Sequence, residues 1–268
     1  MSMWWRNIIE PGLAYGKANT RKNKGIGMRG KKVVLTKVIR PRLQLTYHRT
    51  ELYGLLDELS ASPLIMINGV SGSGKTTLMS GYIESCNIPS LWYQLDRNDE
   101  DLATFFYYLG IAALRIDPYN KISLPQVTPE RVLSVPALAR EYFQKFFQCL
   151  DAPFMIVFDN YQTLSADAAL HDVIGEACAV LPPGGRIVLI ADSDGREKIS
   201  HPRMSRAVAT LGHEDLQLSL KEIKEIAALH GVRLPSDLAA RQLQAKVGGW
   251  MSGLVDELHA LKRECTPQ

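Results

Sequence analysis

No stretch of this chain approaches the ~18 to 20 apolar residues of a membrane-spanning helix, which excludes a membrane partner of that kind. Nor does Met1-Ser2-Met3-Trp4-Trp5-Arg6 lead into a long apolar core followed by small cleavage-site residues, so secretion is not expected. Cysteine is scarce. Cys86, Cys149, Cys178 and Cys265 are widely scattered, with no metal-like spacing to one another or to any of the six histidines. This excludes a disulfide scaffold or zinc cluster and points to thiols in a reducing compartment, the cytoplasm. Acidic residues are nearly missing from the first 42 positions, where eleven Lys and Arg face the single acid Glu10. The rest of the chain holds 20 basic and 27 acidic side chains, an asymmetry that the net charge of +3 conceals. A basic arm of this kind can contact nucleic acid through phosphate neutralisation. It lacks regular aromatic interleaving and a helical pattern, so a solvated leader is the favoured reading, with DNA contact through it the rival.

What the chain does have is a length and composition suited to one large domain and a small one: 268 residues, 46% apolar and 22% charged. Residues 1–32 read as a basic, flexible leader, 33–205 as an α/β nucleotide-binding domain and 206–268 as a small all-helical domain. Within the α/β part, Leu64–Ile67, Leu91–Leu95, Phe154–Phe158 and Ile187–Ala191 are strand candidates. Helical patterns alternate with them, as in a parallel sheet covered on both faces. The stripe Phe105, Phe106, Tyr108 and Leu109 reads as core. Ser219-Leu220-Lys221-Glu222 is a capping-box signature, and Gly248-Gly249 stops a later helix before Trp250.

The most informative segment is Gly69-Val70-Ser71-Gly72-Ser73-Gly74-Lys75-Thr76, which follows a strand candidate and enters a helix at Thr77. In that context the G-x-x-x-x-G-K-[ST] pattern marks a nucleoside triphosphate site. Gly69, Gly72, Ser73 and Gly74 let backbone N–H groups approach phosphate oxygens, and the following helix adds its positive end. Lys75 reaches the β- and γ-phosphates, and the Thr76 hydroxyl, with Thr77 beside it, suits Mg²⁺. An acid at the end of a neighbouring apolar strand completes such a site, and Asp159, after Phe154–Phe158, meets that need. Hydrolysis normally also requires a second carboxylate to orient water, and here the place is taken by Asn160. An amide is no base at neutral pH, so the chain is at most a slow ATPase. The nearby Gln162 and the more distant Asp192 and Asp194 are the candidate substitutes.

The order of these motifs resembles the nucleotide-binding arm of STAND-class P-loop NTPases, specifically the MalT-like, LuxR-family bacterial transcription activators. Lys37 through Arg42, Arg49, Gly69–Thr77, Trp92-Tyr93-Gln94-Leu95-Asp96 and Phe158-Asp159-Asn160-Tyr161-Gln162 carry the likeness. Leu189-Ile190-Ala191, Asp215–Ser219 and Gly249-Trp250-Met251-Ser252-Gly253-Leu254 extend it over roughly residues 33–262. The resemblance implies a P-loop domain of the additional-strand class and a small helical domain, with ATP or ADP and Mg²⁺ as cofactors. Nucleotide exchange would switch a resting form to one that associates with itself or with a protein partner. By position, Lys75 and Thr76 would bind phosphate and magnesium, Asp159 the metal, and Arg49 would lie near the base or ribose.

This chain departs from that pattern in three ways. Asp159-Asn160 stands where the family has two acids, and Ala191-Asp192 where it has Ser-Arg, with Arg196 or Arg203 as possible replacements for the arginine. The family's later winged-helix, repeat and helix-turn-helix parts are not expected within these residues, so any DNA role would be indirect or through the leader. The leading expectation is a regulatory ATP/ADP switch with weak or no hydrolysis, hinged between about Asp194 and Asp215. The alternatives are an active ATPase or small-molecule phosphotransferase, a nucleic-acid-binding ATPase using the basic arm, and a split gene product that keeps only the nucleotide site.

Overall fold

The computed structural model describes residues 36–43, 47–116, 124–125, 127–128, 134–148, 150–192, 204 and 208–264. The expected leader, Asp194, Arg196 and Arg203 lie outside the described residues.

Five strands form one parallel sheet: β1 (Leu64–Asn68), β2 (Ser90–Gln94), β3 (Phe154–Asp159), β4 (Gly185–Ala191) and β5 (Val208–Leu211). Their order is β2-β3-β4-β1-β5. β4 therefore separates the strand that feeds the phosphate loop from the strand that carries Asp159, in register Ile65 with Val188 and Val157 with Val188. This inserted strand is the additional-strand arrangement expected of the fold. β1, β3 and β4 are almost wholly buried, as near-continuous apolar runs must be in a sheet covered on both sides.

Side chains alternate across the sheet and so supply two cores. On one face Leu64, Met66, Tyr93, Ile156, Phe158 and Leu189 pack against α3 (Leu102–Ile116), α4 (Val135–Phe147) and α5 (Leu170–Ala179). The expected aromatic stripe lies here, with Phe105, Phe106 and Leu109 buried and Tyr108 packed against them. On the other face Ile65, Ile67, Trp92, Val157 and Ile190 meet α1 (Thr50–Leu59) and α2 (Lys75–Cys86). Each such large side chain contributes about 1.5–3 kcal/mol of apolar burial. Two acids fix the turn after β2. Asp96 and Asp99 cap it reciprocally, and both receive the buried Lys37 ammonium, at 2.8 and 2.9 Å. This pair ties the segment before α1 to the end of β2.

One strand was not expected. Residues 194–215 read as a hinge poor in apolar positions, yet Val208–Leu211 pair in parallel with Leu64–Ile67 of β1. Only Leu211 of the four is fully buried, so this short edge strand leaves little periodic signal.

Past the sheet come α6 (Leu220–Leu229), α7 (Asp237–Val247) and α8 (Met251–Glu264). The capping box forms as the sequence predicts: the Glu222 N–H donates to Ser219 Oγ, and the Ser219 N–H donates to Glu222 Oε2 at 2.8 Å. Gly248, at φ 62°, ends α7 in the left-handed region that disfavours side chains. Leu218, Ile223, Ile226, Leu243, Leu254 and Leu258 make a small core of their own.

Candidate nucleotide site

The loop between β1 and α2 turns on two glycines. Gly72 has φ 77° and Gly74, the N-cap of α2, has φ 90°, conformations that a side chain would strain. Lys75 opens the helix and folds back over the loop, its ammonium donating to the Gly69 carbonyl at 2.7 Å and the Val70 carbonyl at 2.9 Å. The same ammonium reaches Asp192 Oδ1 at 3.1 Å, just past the end of β4. Ser73 is fully buried within the loop, and its hydroxyl oxygen has no hydrogen-bond partner among the described residues.

β3 delivers Asp159 to the same place. Thr76 Oγ1 donates to Asp159 Oδ2 at 3.0 Å, so the two residues assigned to magnesium are neighbours. Burial raises the Asp159 carboxyl above its usual range, opposed by the Thr76 hydroxyl and the Asn160 N–H, both of which favour the ionised form. Asn160 takes φ 64°, a left-handed conformation that asparagine tolerates better than most residues. Gln162 Oε1 accepts the Asp192 N–H at 3.3 Å and so links the ends of β3 and β4.

These elements enclose a cavity of about 480 Å³, within the range of ligand pockets. Gly72, Gly74, Lys75, Thr76, Thr77, Asp159 and Asn160 all line it, as do Gln162 and Asp192. Gly69 and Ser73 are not among the lining residues, and neither is Arg49. It is buried, with Nε 2.7 Å from Glu222 Oε1, and its other nitrogens donate to Glu222 Oε2 and the Leu216 and Gln217 carbonyls. Its donors thus serve the entry to α6.

Besides Ser71 and Ile190, the remaining wall comes from residues to which the sequence assigned no site role: Met251, Ser252, Val255 and Asp256, on the first two turns of α8. The Ser252 N–H donates to the Gly72 carbonyl at 3.0 Å. A Cβ on Gly72 would lie 2.3 Å from Ser252 Oγ, so the helix sits directly on the loop. The signal was present in the Gly-Trp-x-x-Gly-Leu motif, which carried the family likeness without a stated role.

The donor set fits a nucleotide and its metal. A hydroxyl and a carboxylate side by side are the hard oxygen ligands that Mg²⁺ accepts alongside phosphate and water. A loop that sets Gly72 and Gly74 at positive φ on the cavity wall suits a phosphate cradle.

Comparison with known proteins agrees with this geometry. The HTH-type transcriptional regulator MalT of Klebsiella pneumoniae subsp. pneumoniae is 25% identical over 228 residues, covering 83% of this chain and 24% of the regulator. MalT of Yersinia pestis (strain Pestoides F) is 26% identical over 229 residues, with the same coverage. The chain thus spans about a quarter of the length of these relatives. No family model matches. Among solved structures, a Walker-type ATPase of Pyrococcus abyssi superposes with a TM-score of 0.50 at 16% identity, covering 83% of this chain and 71% of that one. That likeness concerns the fold. In sequence the chain is MalT-like, and in architecture it is a P-loop NTPase fold followed by three helices.

Proposed function

We propose that this chain is an ATP- or ADP-binding regulatory module of STAND type, in which nucleotide occupancy sets conformation and partner choice, with weak or no hydrolysis. The observation that carries the proposal is the convergence of Lys75, the Thr76–Asp159 pair and the first turns of α8 on one cavity. A ligand held there touches both the sheet and the helical segment. Different nucleotides can then stabilise different arrangements of the two by their differential affinity.

In this reading Lys75 neutralises phosphate charge and Thr76 and Asp159 hold Mg²⁺. Bound magnesium would screen the phosphate oxygens and polarise them. Asn160 can orient water but cannot take its proton, which keeps turnover slow. The division into a nucleotide-binding part from residue 33 and a helical part ending near 268 belongs to the same proposal, with β5 on the sheet side. So do a cytoplasmic setting and a protein partner or self-association. No described helix is long and apolar enough to cross a membrane.

The test is a single-turnover assay with labelled ATP and Mg²⁺ that reads bound nucleotide and released phosphate from one sample. Tight binding with negligible release is expected. Rapid release would favour an active ATPase, and absence of binding would refute the site.

A further inference from the structure

Lys37 to Arg42 carry part of the family likeness, yet the nucleotide cavity uses none of them. They form a strap over the open edge of the sheet, where β2 has β3 as its one neighbour. Lys37 anchors one end on Asp96 and Asp99, just past β2. The Pro41 carbonyl anchors the other by accepting the Ser80 hydroxyl of α2 at 3.0 Å. A second cavity, of about 540 Å³, lies between the strap, α2 and β2. It shares no described lining residue with the nucleotide cavity, and Glu84 in its wall stands roughly 14 Å further along α2 than Lys75. Space of this size suits a small molecule.

The wall carries groups that the fold leaves unused. Arg40 and Arg42 both line it, and neither guanidinium has an ion pair or hydrogen bond among the described residues. The Met155 N–H donates to the Pro89 carbonyl and the Leu95 N–H to the Asp159 carbonyl, so by alternation Leu91 and Tyr93 face β3. Ser90 and Trp92 therefore turn their main-chain N–H and C=O to the open edge, where the cavity lies. Trp92 is 2% exposed, and its indole N–H has no hydrogen-bond partner among the described residues. A buried donor left in that state is uncommon and calls for an acceptor from elsewhere. Glu84 is the sole acid among the described lining residues.

We infer that this cavity binds a small organic phosphate bearing free hydroxyl groups. Arg40 and Arg42 supply the forked N–H donors that phosphate oxygens accept. Glu84 and the edge carbonyls accept from the hydroxyls, while the edge N–H groups and the Trp92 indole donate to ligand oxygens. That combination fixes the class. A neutral polyol would leave two guanidiniums without a counter-charge, and a bare anion would face the Glu84 carboxylate as a like charge. The site is separate from the proposed nucleotide function and stands without it.

Calorimetric titration of the full chain with glucose 6-phosphate, glycerol 3-phosphate and AMP, against glucose and inorganic phosphate, tests this. The three esters separate sugar, polyol and nucleoside sources of the same chemistry. At least one should bind about tenfold more tightly than either inorganic phosphate or glucose. Arg40→Gln and Arg42→Gln should each weaken that ester about tenfold. Neither should move the melting temperature, since neither side chain holds a described partner. Glu84→Gln should narrow the gap between the ester and inorganic phosphate, a change that lost packing would not produce. Lys75→Ala should leave the ester's affinity unchanged. An ester lost with Lys75 was held at the phosphate loop, which overturns the inference. So does failure of all three esters to outbind inorganic phosphate, or an affinity unmoved by both arginine variants.

Discussion

Arg49 and Glu222 form a buried ion pair, 2.7 Å between Nε and Oε1, that joins the start of α1 to the capping box of α6. Glu222 thus has two tasks, closing the Ser219 cap and holding the guanidinium. Arg49 likewise satisfies the carbonyls of Leu216 and Gln217 at the entry to the helical segment. This clasp connects the sheet-bearing part to the helical segment, whose α8 walls the nucleotide cavity.

Removing one partner leaves the other charged and buried. Arg49→Met should destabilise the protein by about 3–5 kcal/mol, measured by urea unfolding. Arg49→Lys should also weaken it, because one ammonium cannot serve a carboxylate and two carbonyls in the guanidinium's planar geometry. A lysine variant of wild-type stability would mean that only the charge matters.

The same pair predicts a pH dependence. Burial pushes the Glu222 carboxyl up, but hydrogen bonds from Arg49 and the Ser219 N–H outweigh it and hold the group below its ordinary value of 4.5. A depressed folded-state value contributes stability that is present above pH 4.5 and lost as pH falls through the folded value. Melting temperatures of the wild type and Glu222→Gln should therefore differ at neutral pH and converge in the acid range. A gap that stays constant throughout the acid range would assign the effect to the cap geometry instead.

The parts of this molecule legible in sequence are those where one local rule suffices. The apolar runs of β1, β3 and β4 need only burial on both faces. The phosphate loop needs glycines at positive φ, and the Ser219 cap needs a serine three residues ahead of a glutamate. Asp159 could be singled out because the phosphate loop upstream calls for an acid at the end of a neighbouring apolar strand. β5 escaped because Leu211 alone is fully buried. The α8 wall escaped for a different reason: Ser252 and Asp256 lie some 180 residues from the loop, and only the folded chain brings them beside Gly72.

Lys75→Ala should abolish tight nucleotide binding in a fluorescent-nucleotide titration while the sheet remains folded. Thr76→Ala is more specific. It removes the donor to Asp159 Oδ2 and a metal ligand together, so Mg²⁺ should no longer strengthen binding. The Asp159 Oδ2 left without its donor should cost about 1–3 kcal/mol of stability. Binding that keeps its full magnesium dependence in this variant would move the metal elsewhere.

Gly72→Ala probes the seat of α8. The new Cβ would meet Ser252 Oγ at 2.3 Å and Ser252 Cβ at 2.8 Å, at a backbone φ of 77°. The loop carbonyl and α8 must then separate, and protection of residues 249–258 from hydrogen exchange should fall. Adding Ser252→Gly removes both clashing atoms but not the backbone strain. It should restore part of the protection, though not all of it. Unchanged exchange in the single variant would show that α8 does not depend on the loop for its position.

Asn160→Asp separates chemistry from folding. Asparagine and aspartate both tolerate the left-handed conformation found here, φ 64°, so the exchange should leave stability nearly unchanged. A β-branched residue should not be tolerated in this way, and Asn160→Val is expected to lose about 1–2 kcal/mol. The new carboxylate would stand next to Asp159, in a cavity that already holds Asp192 and Asp256. As a base it should raise single-turnover phosphate release; as a fourth acid it should weaken binding of the triphosphate. Both effects are expected together, so the hydrolysis rate must be read at saturating nucleotide. A rate unchanged at saturation would show that the missing base is not what limits turnover, and Asp192→Asn would then test whether the acid held on Lys75 does.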